Sequence, residues 1–325
     1  MRAIVYDQYG SPDMLRLEEV PMPVPKDNEV LVQVFASSIN SWDWDLLTGT
    51  VQGRIGGFRT PQYAILGADV AGRIVAVGTS VTRHAIGDEV YGDVSGDGWG
   101  GFAEFVCVSE KSLAPKPRGA SFEQAAAMPQ AAVLALQGLR HNGEIQSGQK
   151  VLINGAGGGV GTFAVQLAKN AGAEVTGVDK VDKLETVDLV GADHVVDSTK
   201  EDFTKSGLLY DTVLDVVATR SAIAHRSTLA LGGRYVIVGG TTWVLLQTVT
   251  VGSLLSLVGS KKASVLAHRP NHADLVAIGE LFESGALSPI IDSSFPLDEI
   301  VDGFRRFGSG QHKGKVVINV SFAPI

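Results

Sequence analysis

From about residue 150 onward, short apolar runs alternate with stretches of helical period. Val151-Leu152-Ile153 and the runs at 174–178, 194–196, 211–217 and 234–238 are patterned for strands buried on both faces of a parallel sheet. Between the first two, Val160, Phe163, Ala164, Leu167, Ala168 and Ala171 recur at helical spacing, which places one apolar stripe on a helix over 160–171. Further helices are predicted over 181–190 and 219–230. Strand and helix in alternation predict an α/β, doubly wound parallel sheet. Residues 1–120 differ. Segments such as 29–36 (EVLVQVFA), 67–78, 87–92 and 101–108 are short, near-alternating and bounded by glycine, a pattern that predicts a small β-barrel. Ser121 and Gln124 form a capping-box pair opening a short helix. Pro129 is expected to stop that helix, and a second is predicted over 131–139. Beyond residue 240, positions 243–259 are read as a strand plus a helix forming a cap or a subunit edge. Residues 273–283 read as a helix, Ile300, Phe304 and Phe307 as one face of a short helix, and 314–320 as a closing strand.

Composition narrows the function classes. The chain has 325 residues, 45% apolar and 19% charged, enough for two packed domains and too apolar for disorder. The net charge of −8 argues against nucleic-acid and anionic-membrane partners. The stretch 243–258 is too short and too polar to predict a membrane span. Arg2 is followed by mixed polar residues rather than an apolar signal core, so a cytoplasmic compartment is expected. A single cysteine, Cys107, excludes an intramolecular disulfide and a cysteine-rich metal site. It sits mid-strand and is expected to be inert.

The glycines carry the first chemical inference. Gly155, Gly157, Gly158, Gly159 and Gly161, with Val160 among them, lie between the 151–154 strand and the helix that follows. Strand, glycine turn and helix place a pyrophosphate on a helix N-terminus. The next strand ends in Asp179, at the offset where a carboxylate accepts hydrogen bonds from an adenosine ribose and repels a 2′-phosphate. Lys180 and Lys183 follow, and an ammonium there pairs with that phosphate. The cofactor is therefore expected to be NADP(H) or NAD(H), with the choice open. Val216, Val217, Val238, Gly239 and Gly240 end their strands on the same side and are candidates for the nucleotide face.

Seven motifs in order resemble one family. They are Asn40-Ser41-Trp42-Asp43-Trp44, residues 66–72 (LGADVAG), Gly87-Asp88-Glu89-Val90, Gly100-Gly101-Phe102-Ala103-Glu104, the Gly155–Gly161 loop, residues 191–197 (GADHVVD) and Gly314-Lys315-Val316-Val317. Over nearly its whole length the chain resembles the medium-chain dehydrogenase/reductases, and within them the zinc-free quinone oxidoreductase branch that includes zeta-crystallin. The resemblance implies a GroES-like domain at 1–120, completed by about 285–325, and a Rossmann domain at 121–284. It also implies an active site in the cleft between them and a homodimer joined through sheet edges. Zinc-dependent members carry a cysteine where this chain has Asn40, a His-Glu pair where it has Ala68-Asp69, and a further ligand near 131–135. None of these ligands is present, so no metal is expected. The implied reaction is hydride transfer to a quinone or to the β-carbon of an enone or enal. Asn40 is expected to line the nicotinamide pocket, Asp43 to accept structural hydrogen bonds, and Asp45 to stand where some members carry a proton-donating tyrosine. Trp42, Trp44 and Leu134 are counted with the substrate pocket and Lys315 with the cofactor. An enoyl-thioester reductase, with Arg54 and Arg59 at its entrance, and a non-catalytic redox sensor are the alternatives.

Overall fold

The computed structural model describes residues 1–55, 57–252 and 259–320. The chain divides into two compact units, one of Met1–Val133, Pro270–Gly285 and Pro289–Ile325, the other of Leu134–Arg269 and Ala286–Ser288.

The second unit is built on six parallel strands in the order His194–Asp197, Glu174–Asp179, Lys150–Asn154, Tyr210–Asp215, Leu229–Ile237 and Lys262–Val265. The apolar runs are buried as their composition demands: Val151, Leu152, Ile153, Val213 and Leu214 are inaccessible to solvent. The helix Gly159–Asn170 covers the sheet with Phe163, Ala164, Leu167 and Ala168. From Lys150–Asn154 the chain moves outward in one direction, returns to Tyr210–Asp215, and then proceeds in the other. The carboxyl ends of those two strands therefore flank the point where strand order reverses, which is where such sheets bind ligands.

Three expectations change here. The helix predicted over 219–230 is one short turn, Ala222–His225, followed by a 3₁₀ turn at Arg226–Thr228. Its last residues belong instead to the strand Leu229–Ile237, which pairs with Tyr210 through Leu229 and resumes at Arg234 after a register shift. Gly232, at φ 79°, lets the backbone make that excursion. Pro129 opens the helix Pro129–Arg140 rather than merely closing the preceding one, because the first turn needs no proline N–H. Of 243–259, the described part is the helix Thr242–Gln247 running into a π-helical turn, Thr248–Gly252. Residues 253–258 lie outside the described residues.

The first unit is a mostly antiparallel sheet ordered Ile291–Pro296, Lys315–Asn319, Glu29–Ile39, Asp69–Val77, Glu89–Asp93 and Leu113–Pro115, with Phe105–Ser109 also paired to Glu29–Ile39. Its core joins Val30, Val32, Ile39, Val70, Ile74, Phe102, Phe304 and Ile318. The unit boundaries fall at 133/134 and 269/270 rather than at 120/121 and 284/285. The helix His272–Glu283 belongs here because Tyr91 donates to the Leu275 carbonyl at 2.5 Å and the Arg118 N–H donates to Glu283 at 2.8 Å. Phe122 likewise stacks on Phe35 at 4.5 Å. Cys107 is half-buried, and burial pushes its thiol up to about 11, which leaves it protonated and unreactive at neutral pH.

Candidate functional site

In the parallel-sheet unit the glycine loop is shaped by close approach. Gly155 has φ 84°, and its N–H and that of Ala156 both donate to the Val178 carbonyl. A Cβ on Gly161 would sit 2.0 Å from the Gly155 carbonyl oxygen, so any larger residue pushes the helix off the turn. Gly158 caps the helix Gly159–Asn170 without a side chain. Gly158, Gly159 and Val160 are partly open to solvent. The first-turn N–H groups thus carry the positive end of a helix of twelve residues with no carboxylate or hydroxyl capping them, which suits a pyrophosphate.

Asp179 closes this loop. Its Oδ2 accepts the Gly157 N–H at 2.8 Å and its Oδ1 the Lys180 N–H at 2.8 Å. Lys180 is exposed, whereas Lys183 is buried with its Cβ beneath Gly157. Val216 and Val217 are aimed by a network that the sequence pattern did not reveal. Asp215 accepts from Asn154 and Tyr235 at 2.8 Å each and from the Val217 N–H at 3.3 Å. The Val238 N–H donates to the Asp215 carbonyl, and Ala218 bridges to Gly240. Val216, Val217, Val238, Gly239 and Gly240 thus lie at the carboxyl ends of adjacent strands. Behind them the His225 ring stacks on Tyr235 at 4.3 Å, and burial lowers its pKa to about 4.

The sheet of the other unit assembles a buried polar cluster. Asn40 caps the helix Ser41–Thr48, and its N–H donates to Asp43 Oδ2 at 2.8 Å. Asp43 Oδ1 accepts the Gly67 N–H at 2.9 Å. At the centre stands Asp69. Its Oδ2 accepts from Ser38 Oγ at 2.6 Å, Asn40 Nδ2 at 2.9 Å and Lys315 Nζ at 3.3 Å, and its Oδ1 accepts the Gln130 N–H at 2.8 Å. Lys315 Nζ also donates to Asn40 Oδ1. Asp93 lies close by, reached by Gln130 Nε2 at 3.5 Å. Burial raises the Asp69 pKa while Lys315 opposes the shift.

These contacts revise several expectations. The Asn40 amide is engaged at both ends and the residue is only 6% exposed, so its side chain orders the cluster rather than presenting a free donor. Lys315, expected on the cofactor side, is 3% exposed with its ammonium held by Asn40 and Asp69. Asp45 bonds Thr50 rather than entering the cluster, and burial raises its carboxyl. Trp44 packs on Phe307 at 6.2 Å and fills the space over Gly308, a core role, whereas Trp42 is exposed. Leu134 is half-buried on the helix Pro129–Arg140 and is grouped with the other unit. The signal that would have found Asp69 and Lys315 is a charged residue opening an otherwise apolar strand, which has to be paired when buried.

Zinc does not fit this donor set. An ammonium already neutralises Asp69, Asn40 donates to that same carboxylate, and among the described residues no group of three His, Cys, Asp or Glu side chains could hold a metal.

Burial pushes Asp43 up to about 7 against its two N–H donors, with Asp69 adding repulsion and Lys315 opposing it. The folded state therefore holds a proton that the unfolded chain releases near 3.8, and this contribution to stability is lost as pH rises from about 4 to 7. Denaturant midpoints of wild type and Asp43→Asn, measured across that window, are expected to differ in slope. The wild type should lose on the order of a few kcal/mol more; parallel profiles would show that Asp43 does not titrate there.

Two family models match this chain: an alcohol dehydrogenase GroES-like domain over residues 26–118 and a zinc-binding dehydrogenase over 190–318. A 2-methylene-furan-3-one reductase of Solanum lycopersicum is 35% identical, over 98% of this chain and 79% of its own. The chain belongs to the medium-chain dehydrogenase/reductase superfamily. A chloroplastic NADPH-dependent alkenal/one oxidoreductase of Arabidopsis thaliana is 32% identical with the same coverages. The structure of a quinone oxidoreductase from Coxiella burnetii superposes with a TM-score of 0.89 at 30% identity, covering 99% of both chains. The parallel-sheet unit is accordingly the superfamily's Rossmann domain and the other its GroES-like domain. The superfamily's nicotinamide nucleotide fits the open helix N-terminus and crowded glycine turn found here.

Proposed function

We propose that this oxidoreductase reduces a quinone, or the conjugated double bond of an enone or enal, at the expense of a reduced nicotinamide nucleotide and without zinc. The observation that carries this reading is the Lys315 ammonium seated against Asp69 and Asn40, in motifs where zinc-dependent relatives assemble metal ligands. An unconjugated carbonyl needs an acid, a metal ion or a positioned proton donor, to polarise it. A quinone or enone spreads the incoming charge through its own π-system, so placement is sufficient. A bound reduced nicotinamide supplies the hydride from C4, and one proton from water completes the product. The protein's share is to hold the pyrophosphate on the first turn of Gly159–Asn170, the adenosine ribose at Asp179, and the ring-bearing end against the strand tips at Val216, Val217 and Val238–Gly240. We favour NAD(H) over NADP(H), because Asp179 is fixed by two backbone donors and Lys183 is buried.

The enoyl-thioester alternative loses support from Arg54. Its guanidinium lies over the Tyr9 ring at 4.4 Å and donates to the Gly49 and Phe58 carbonyls, so it is committed to its own loop and not to a thioester's phosphate. A homodimer is part of the proposal. The outer strand Lys262–Val265 is paired on one side only among the described residues, and a single-chain mass by light scattering would remove the dimer. Cytoplasmic action is likewise proposed, from the lone cysteine; no described helix is long and apolar enough to cross a membrane.

The test is oxidation of NADH and NADPH, side by side, with phenanthrenequinone and methyl vinyl ketone as acceptors, before and after chelation. Turnover that survives chelation supports the reading. Chelator-sensitive turnover overturns the zinc-free part. Cofactor binding without turnover favours the sensor.

A further inference from the structure

Within the GroES-like unit, three aromatic rings form a cluster that the polar network does not require. Trp99 stands at its centre, with Trp42 edge-on at 6.3 Å and 78° and Tyr63 tilted at 5.9 Å and 43°. Trp42 is 43% exposed, Tyr63 half-buried and Trp99 5% exposed. The cluster therefore has a covered base and an open indole.

The backbone under Trp99 is unusual. Trp99 has φ 70°, between Gly98 at 104° and Gly100 at 111°. A bulky side chain in the left-handed region is strained, and a third glycine would hold the same turn without that cost. The loop is locked in this shape. Trp99 N–H donates to the Val94 carbonyl, Val94 N–H to Ala68, Gly101 N–H to Gly67 and Phe102 N–H to Leu66. The same segment, 66–69, supplies Gly67 N–H to Asp43 and the Asp69 carboxylate to Asn40. Trp42 lies two residues from Asn40 on the helix that Asn40 caps. The aromatic cluster and the polar cluster are thus carried on the same two pieces of backbone, the start of Ser41–Thr48 and the 66–69 segment.

We propose that Trp42, supported by Trp99 and Tyr63, is a stacking surface for the acceptor, and that it selects flat ring acceptors (quinones and aryl enones) over short acyclic enones and enals. This rests on the reductase reading above and names its substrate class. Planar π-systems prefer offset or edge-on contact with such rings. An indole buttressed at right angles by a second indole is held in orientation before the ligand arrives, which reduces the ordering cost of binding. Trp44, turned into the core against Phe307 and Gly308, takes no part.

The experiment compares kcat/KM for phenanthrenequinone and methyl vinyl ketone in wild type, Trp42→Leu, Trp42→Phe and Trp99→Phe. Trp42→Leu is expected to lower the quinone-to-enone ratio about tenfold, with most of the change in the quinone KM, and Trp42→Phe to restore much of it. Trp99→Phe keeps a ring over the covered base and is expected to lower the ratio less than Trp42→Leu does. An unchanged ratio in Trp42→Leu overturns the proposal. If the wild type turns over neither acceptor, the reductase reading fails, and the stacking surface is judged by phenanthrenequinone quenching of indole fluorescence. An affinity about tenfold weaker in Trp42→Leu then supports the surface, and equal affinity overturns it.

Discussion

Lys315→Met is expected to lower the unfolding temperature by about ten degrees, the largest single-residue effect on stability we anticipate. Removing one partner of a buried ion pair costs about 3–5 kcal/mol, because the remaining charge is left without compensation. Each kcal/mol moves a domain of this size by about 2–4 °C. Here the stranded charge would be Asp69, fully buried, with Asp43 and Asp93 also buried in the same unit. The loss grows with pH. Below its own raised pKa, Asp69 protonates and the variant suffers less; above it, the carboxylate must be carried unpaired. The double variant Asp69→Asn, Lys315→Met removes both charges and should recover a substantial part of the loss. Scanning calorimetry at pH 5 and pH 8 on the two variants decides the matter. An unshifted melting temperature in Lys315→Met would show that the ammonium contributes no stability in the cluster.

Asp179→Ser is the second. The ratio of NADPH to NADH affinity is expected to rise about a hundredfold, corresponding to about 2–3 kcal/mol divided between lost ribose hydrogen bonds and relieved repulsion of a 2′-phosphate. The carboxylate cannot swing aside cheaply, since Gly157 N–H and Lys180 N–H hold both oxygens. Asp179→Asn separates the two functions of the side chain. Its amide oxygen can still accept from Gly157, so the loop keeps its anchor while the charge is gone. If dissociation constants for the two nucleotides keep their ratio in both variants, discrimination lies elsewhere, and exposed Lys180 is the first place to look.

The Rossmann half was readable in the sequence because its strands are continuous apolar runs and its turn is written in glycine, both local signals. Residues 229 and 230 read as helix because Leu229 and Ala230 suit a helix as well as a strand, and only pairing with Tyr210 decides. The polar cluster was hidden for another reason. Asn40 meets Asp69 across 29 positions and Lys315 across 275. No spacing rule links residues so far apart. A turn-forming asparagine at a helix cap looks the same from sequence whether its amide faces a ligand or a buried lysine. Trp42 and Trp44 show the limit in miniature: two tryptophans on one helix turn, one open and one packed on Phe307.

The strand Lys315–Asn319 lies between Ile291–Pro296 and Glu29–Ile39, with Val316 opposite Ile39 and Asn319 opposite Ala36. During synthesis the Rossmann unit has almost all of its chain by residue 269, whereas the GroES-like sheet lacks a central strand until residue 319 has been made. Closing so long a loop is slow, and domains generally fold as units as the chain emerges. Nascent chains stopped at residue 300 should therefore protect the 134–269 stretch from protease and leave 1–133 open. Until that strand arrives, Asp43 and Asp69 have no Lys315 to gather around, so the ammonium acts as a late checkpoint on the GroES-like sheet.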